Sequence, residues 1–347
     1  MQIKDKRIGA EHPTYIIAEL SGNHNQDFDL AVKTVYAMKE AGADAVKLQT
    51  YTADTITLDS EKPDFKTRPD SLWAGQKLHD LYKIAYTPWE WQPKLKQLAN
   101  DLGMHCFSSP FDNSAVDFLE EMDVPAYKIA SLEITDIPLI KYTASKGKPI
   151  IMSTGIADIA DIDLAIEACH SVGNHDIALL KCTSAYPTPL EDSHLQSIPF
   201  LQSKYQTVIG LSDHTLGTIV PITAVALGAR IVEKHFILDR NLGGVDSAFS
   251  LDAAEFKGMV DSIRNVEKAL GRKDYFLSEK GKKARATSRS LYITQDMKKG
   301  DVFTIENVRS VRPAYGLPPR YLEEILGKKV AEDVEAATAL KWELIDS

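Results

Sequence analysis

Two histidines, His214 and His235, stand at or just past the ends of successive β-branched runs, TVIGL and RIVEKH, each near an acid, Asp213 and Glu233. A single histidine at such a place is more often structural. Two on adjacent strand ends can offer neutral imidazole nitrogens to one divalent cation, with the acids to orient the rings. With only two nitrogen ligands, the other positions fall to oxygen from water or substrate, which suits an open Mn²⁺ or Mg²⁺ site better than tetrahedral zinc. Lys47 and Lys128 close two other apolar runs, and Ser109, Ser131, Ser153 and Ser212 end several more. Ammonium charge combined with hydroxyl donors is what a small dianion such as a phosphorylated carboxylate needs. Glu19 and Glu133 are the carboxylates placed to move protons, because burial in a desolvated mouth brings a carboxyl toward neutral pKa. Neither a Walker-type loop nor a GxGxxG follows any strand-like run, so nucleotide readings lack support.

One serine or lysine at a strand end is usually a solvated or capping residue. Here the same feature recurs in eight runs, near 15–19, 45–49, 104–108, 126–130, 149–153, 177–181, 207–211 and 230–235. Between them lie amphipathic segments such as DLAVKTVYAMKEAG and ADIDLAIEACHSVG, several closed by Gly at the C-terminal position. Alternation of this kind predicts parallel strands with helical crossovers, and eight units favour a closed (β/α)₈ barrel over an open doubly wound sheet. A closed barrel would gather these ends, together with Gln49, Lys181, Thr183, Ser184, Tyr186 and Lys234, at one mouth. The polar insertion at 51–87 would cover it, and the aromatic LYKIAYTPWEW reads as a plug between that insertion and the next helix. Asn23 and His24, after Glu19, read equally as a site loop or a turn. The remaining histidines, His12, His79, His105, His170, His175 and His194, read as surface or packing residues.

A barrel domain at 1–271, a Lys/Arg-rich linker at 272–289 and a small, mainly irregular β domain at 290–347 account for the 347 residues. The net charge of -9 argues against nucleic acid as a partner. Charges interrupt the N-terminal segment where a signal peptide needs an apolar stretch, so a cytoplasmic protein with no membrane contact is expected. Cys106, Cys169 and Cys182 lack CxxC spacing and read as small packing residues.

The runs IIAELSGNHN, AGADAVKLQTY, FSSPFD, AYKIASLE, KPIIMSTG, KCTSAYPTP, GLSDHTLG, AVALGARIVEKHF and SVRPAYGLPP resemble the sialic acid synthase family over essentially the whole chain. The resemblance implies a (β/α)₈ barrel followed by a SAF domain similar to type III antifreeze proteins, exchanged across a homodimer. It implies a condensation of phosphoenolpyruvate with an acetamido sugar, C–O cleavage, and a divalent metal, Mn²⁺ or Mg²⁺ with Co²⁺ also acceptable, held by His214 and His235. Lys47, Lys128, Ser109, Ser131, Ser153 and Ser212 would hold phosphoenolpyruvate. Gln49, Ser184, Tyr186, Asp246 and Arg312 would hold the sugar, with Arg312 reaching the other protomer's site. The resemblance is closest to the branch that converts a 2,4-diacetamido-2,4,6-trideoxy-altrose to pseudaminic acid. One mark is Lys181-Cys182-Thr183-Ser184 where sialic acid synthases carry His-Cys-Thr-Asn. The alternative is a member of the same family that makes N-acetylneuraminate or legionaminate.

Overall fold

The structure, a computed structural model, describes every residue except Asp70, Lys273 and Ser347. The chain divides into two compact units, Met1–Gly271 and Arg272–Ser347. In the first, eight parallel strands close into a barrel. They are β1 (Tyr15–Glu19), β2 (Ala45–Thr50), β3 (His105–Pro110), β4 (Tyr127–Ile129), β5 (Ile150–Ser153), β6 (Ile177–Cys182), β7 (Val208–Asp213) and β8 (Ile231–His235). Closure is made by β8, which pairs with β7 on one side and with β1 on the other, His235 beside Glu19.

Helices cover the outer face and start where the sequence supplies caps. Asp27, Asp112, Asp158 and Asp252 each accept backbone N–H bonds at the N-terminus of the helix that follows. Outward residues such as Ile16, Ala18, Val46, Leu48 and Val232 pack with Val35, Met38, Phe256 and Met259 of the helix layer. Below β1, a two-stranded hairpin of Gln2–Ile3 and Lys6–Arg7 that the sequence reading did not anticipate sends Ile3 and Ile8 into the barrel core. His105 is held there between the Tyr15 hydroxyl at 2.7 Å and Asp5 at 2.8 Å, a packing residue with satisfied nitrogens.

The second unit has its own core, which includes Leu291, Ile293, Phe303, Val308, Ile325, Val330 and Leu340. Its β9 (Ser290–Ile293) and β10 (Val308–Val311) are antiparallel. The stretch expected to be plain linker contains a helix, Glu279–Arg285, started by the Ser278 side chain. Among the described residues no helix is long and apolar enough to cross a membrane.

Candidate active site

Parity along the strands decides what reaches the barrel interior. In β2 and β8, Lys47 and Glu233 point inward, and Glu233 Oε1 lies 3.5 Å from Lys47 Nζ and 3.8 Å from Lys128 Nζ of β4. The Ser212 hydroxyl of β7 donates to the same oxygen at 3.1 Å. Lys47 also meets Glu19 Oε2 at 2.5 Å, with both side chains almost wholly buried. Burial alone would raise the Glu233 carboxyl, but the Lys128 and Lys47 ammoniums outweigh it and hold Glu233 below its usual range. Burial pushes Glu19 up to about 7, with Lys47 opposing and Glu233 adding to the rise. Burial opposes the charge on Lys47, yet Glu19 and Glu233 prevail and push it up to about 12. Burial lowers Lys128. Two ammoniums thus face the ionised Glu233 and a Glu19 carboxyl that gains or loses its proton near neutrality, so protonation of Glu19 leaves positive charge for an anionic substrate.

Hydroxyls surround the lysines. Lys128 Nζ donates to Ser153 Oγ at 2.6 Å, and Ser109 Oγ is buried with no partner. A 3₁₀ turn after β4, Ser131–Glu133, delivers two site residues at once. Ser131 Oγ lies 2.7 Å from Ser184 Oγ. Glu133 Oε2 is buried without a partner, and burial pushes this carboxyl up to about 7 against the pull of Lys128. Gly155 closes this corner: a Cβ there would sit 2.5 Å from both Ser131 Oγ and Ser184 Oγ.

The two imidazoles meet on the other side, with ring centroids 5.3 Å apart. His214 Nδ1 lies 3.2 Å from the Thr183 carbonyl, which makes Nδ1 the N–H donor and leaves Nε2 with a free lone pair. Burial holds His214 down at about 4 and His235 well below its ordinary value, so both rings are neutral at neutral pH. His235 Nδ1 is buried and unpartnered, 4.0 Å from Asp246 Oδ2. No group of three or more His, Cys, Asp or Glu suited to a metal occurs among the described residues. The paired neutral imidazoles, one with an unpartnered buried nitrogen, are a donor set that fits a divalent cation taking two nitrogens from the protein and the rest from water and substrate. His235 stands beside Glu19 in the β8–β1 ladder, and Glu19 meets Lys47, so cationic and imidazole sides share one mouth.

The wall beside the imidazoles is aromatic. Phe249 lies 4.9 Å from His235 and 5.2 Å from Tyr186, and Tyr186 is 4.5 Å from His214, ring centre to ring centre. The insertion contributes Trp73, 6.4 Å from Tyr186 and bonded through its indole N–H to the Val245 carbonyl. Asp246 accepts from the Ser21 hydroxyl, which in turn accepts from Gln49 Nε2 at 3.2 Å. Arg312 is an exposed residue of the second unit, following β10.

The sequence reading overlooked Glu233 as the hub of the lysines, and also Ser21, Gly155 and Phe249. Glu233 is marked in the sequence only as an acid near the histidines and the others not at all, because the partners that define them come from distant strands. Other assignments are corrected. Lys181, Asp213 and Lys234 alternate with Cys182, Ser212 and Glu233 and so turn away from the mouth, Lys181 donating to the Cys182 carbonyl and the Thr183 hydroxyl. Asp213 pairs with Lys234, so it does not orient an imidazole directly. Cys182 is a buried free thiol, as a packing residue should be, and its Sγ lies 3.9 Å from His214 Nδ1. Of the two residues at the end of β6 and just beyond it that distinguish this chain, Lys181 and Ser184, only Ser184 is at the mouth.

Comparison with known proteins places this geometry. A pseudaminic acid synthase of Campylobacter jejuni is 48% identical over 334 residues, 96% of this chain and 97% of that protein. A pseudaminic acid synthase of Helicobacter pylori is 45% identical, covering 96% and 98%. The crystal structure of an N-acetylneuraminic acid synthetase from Leptospira borgpetersenii superposes with a TM-score of 0.74 at 30% identity, over 82% of this chain and 94% of that one. Residues 288–346 match the SAF domain. Residues 34–275 match the NeuB family model, and the chain belongs to the NeuB family.

Proposed function

We propose that the chain condenses phosphoenolpyruvate with 2,4-diacetamido-2,4,6-trideoxy-beta-L-altropyranose and water, giving pseudaminic acid and phosphate. The observation that carries this reading is the convergence of Lys47 and Lys128 on Glu233 in the mouth that also holds His214 and His235. The identity with two pseudaminic acid synthases over nearly the whole chain supports the choice of acceptor.

Lys47 and Lys128 supply the charge that binds phosphoenolpyruvate, and Ser109, Ser131, Ser153 and Ser212 supply hydroxyl donors. C3 of the bound enol bonds to the aldehyde carbon of the open-chain sugar, water adds at C2, and phosphate departs with its bridging oxygen by C–O cleavage. His214 and His235 would hold a divalent cation, Mn²⁺ or Mg²⁺ with Co²⁺ a further option, which would supply Lewis-acid polarisation of the aldehyde. Glu19 and Glu133, both near neutral pKa, exchange protons with the sugar oxygen and the attacking water. Gln49, Ser184, Tyr186 and Asp246 line the sugar side, and Trp73 and Phe249 exclude water from it. We extend the proposal to a cytoplasmic homodimer that exchanges SAF domains, so that Arg312 serves the partner's acceptor; family resemblance supports this.

Incubation with phosphoenolpyruvate, Mn²⁺ and a panel of acetamido sugars, followed by mass analysis of the nine-carbon acid, tests the reading. Pseudaminic acid is the expected product. Turnover with N-acetylmannosamine alone would reassign the acceptor, and a strict need for a phosphorylated sugar would refute the mechanism.

A further inference from the structure

Asp213 and Lys234 take no part in the chemistry above, yet each immediately precedes one of the two imidazoles. They are partners across the β7–β8 ladder. The alternation that turns Ser212 and Glu233 inward turns both of them outward, where their side chains are 2% and 0% exposed. Lys234 Nζ lies 2.5 Å from Asp213 Oδ2. The pair is tied to the backbone around His214. Thr215 N–H donates to Asp213 Oδ1 at 3.1 Å, and the Thr215 hydroxyl donates to Oδ2 at 3.1 Å. Lys234 also donates to the Thr215 carbonyl. His214 is therefore bracketed on both sides by bonds to one lysine, and that lysine belongs to the strand carrying His235.

Stability is a poor explanation for such a pair, because desolvation offsets most of the attraction and a packed apolar pair would serve as well. Geometry is the better one. The two Lys234 bonds tie the β7 end to the β8 end, and the two from Thr215 fix the turn around His214, which is where the two ring nitrogens must be matched to one ion. We propose that Asp213 and Lys234 are positioning residues whose ion pair sets the spacing of His214 and His235, and so the affinity of the mouth for a divalent cation, without touching cation or substrate. The inference rests on the cation site proposed above.

The test uses full-length, metal-stripped protein as wild type, Lys234→Met, the double variant Asp213→Asn with Lys234→Met, and His235→Ala. Mn²⁺ is titrated into each and free Mn²⁺ is read by electron paramagnetic resonance, with urea stability measured on the same metal-free samples. Lys234→Met alone leaves a lone buried carboxylate and should lose both stability and Mn²⁺ affinity. The double variant buries no charge, and its amide oxygen still accepts from Thr215. It should regain most of the lost stability yet bind Mn²⁺ about 10–100-fold more weakly than wild type. Its KM for phosphoenolpyruvate at saturating Mn²⁺ should stay within about twofold of wild type. A double variant as stable as wild type that also binds Mn²⁺ as tightly overturns the proposal. Should that variant fail to fold, Thr215→Val, which removes one donor to Asp213, carries the test: a fall in affinity of about threefold is expected, and none overturns it. His235→Ala separates the two readings. Undiminished Mn²⁺ binding there refutes the cation site itself, whereas loss there with none in the pair variants refutes only the positioning role.

Discussion

One added carbon at Gly155 would lie 2.5 Å from two hydroxyl oxygens and 3.0 Å from Cys182 Sγ, closer than any of them can tolerate without moving. Gly155→Ala should therefore displace Ser131 and Ser184 while the barrel core stays intact. The expected outcome is an increase of about tenfold or more in KM for phosphoenolpyruvate with little change in thermal midpoint, read by initial rates and calorimetry. Glu133 gives a pH prediction. Burial moves its carboxyl from the ordinary 4.5 to about 7 in the folded state. Between those values the native protein holds a proton that the unfolded chain has released, so stability is full below 4.5 and falls as pH rises toward 7. Glu133→Gln should flatten that fall by about 3 kcal/mol, judged by urea melts across the range. It should also remove a limb near neutrality from the pH profile of kcat/KM, and a profile that kept the limb would assign it to Glu19.

The strands were legible because each is a short β-branched run between turn signals, and the structural bounds differ from the expected ones by only one or two residues. Parity was not legible. Strands covered on both faces read as continuous apolar runs, so nothing in ALLKC or RIVEKH says which polar residue faces the mouth. For that reason the pattern puts Lys181 and Lys234 at the mouth, gives Asp213 the orienting of an imidazole, and carries no sign that Glu233 joins the two lysines. Most of the candidate set still converges, because inward parity and a strand-end position coincide for Glu19, Lys47, Gln49, Ser109, Ser153, Ser212 and His235. The insertion is where composition said least, and it yields a prediction of its own. Trp73 is fixed by the Val245 carbonyl at 3.2 Å and stands against Tyr186. Trp73→Ala should raise KM for the sugar about tenfold and leave Mn²⁺ affinity and KM for phosphoenolpyruvate unchanged. Equal losses for both substrates would show that the insertion supports the barrel rather than the acceptor.

Two units, each with its own core, pose the question of how a residue on the smaller one could serve chemistry in the larger. Arg312 is exposed, and no hydrogen bond or ion pair of its guanidinium occurs among the described residues, so its charge is available to a ligand. If SAF domains are exchanged in a symmetric dimer, the Arg312 of one protomer completes the barrel of the other. Complementation distinguishes this from service within one chain. Arg312→Ala keeps its barrel and His235→Ala keeps its arginine, so a mixed dimer holds one complete site under exchange and none otherwise. Co-expression in equal amounts should restore roughly a quarter of wild-type turnover, because half of randomly paired dimers are mixed and each has one working mouth of two. Activity no higher than the sum of the separate variants would place Arg312 in its own protomer's site or outside the reaction altogether. KM of the single variant then decides between those two, because loss of an arginine that holds the acceptor in its own protomer raises the KM for the sugar alone.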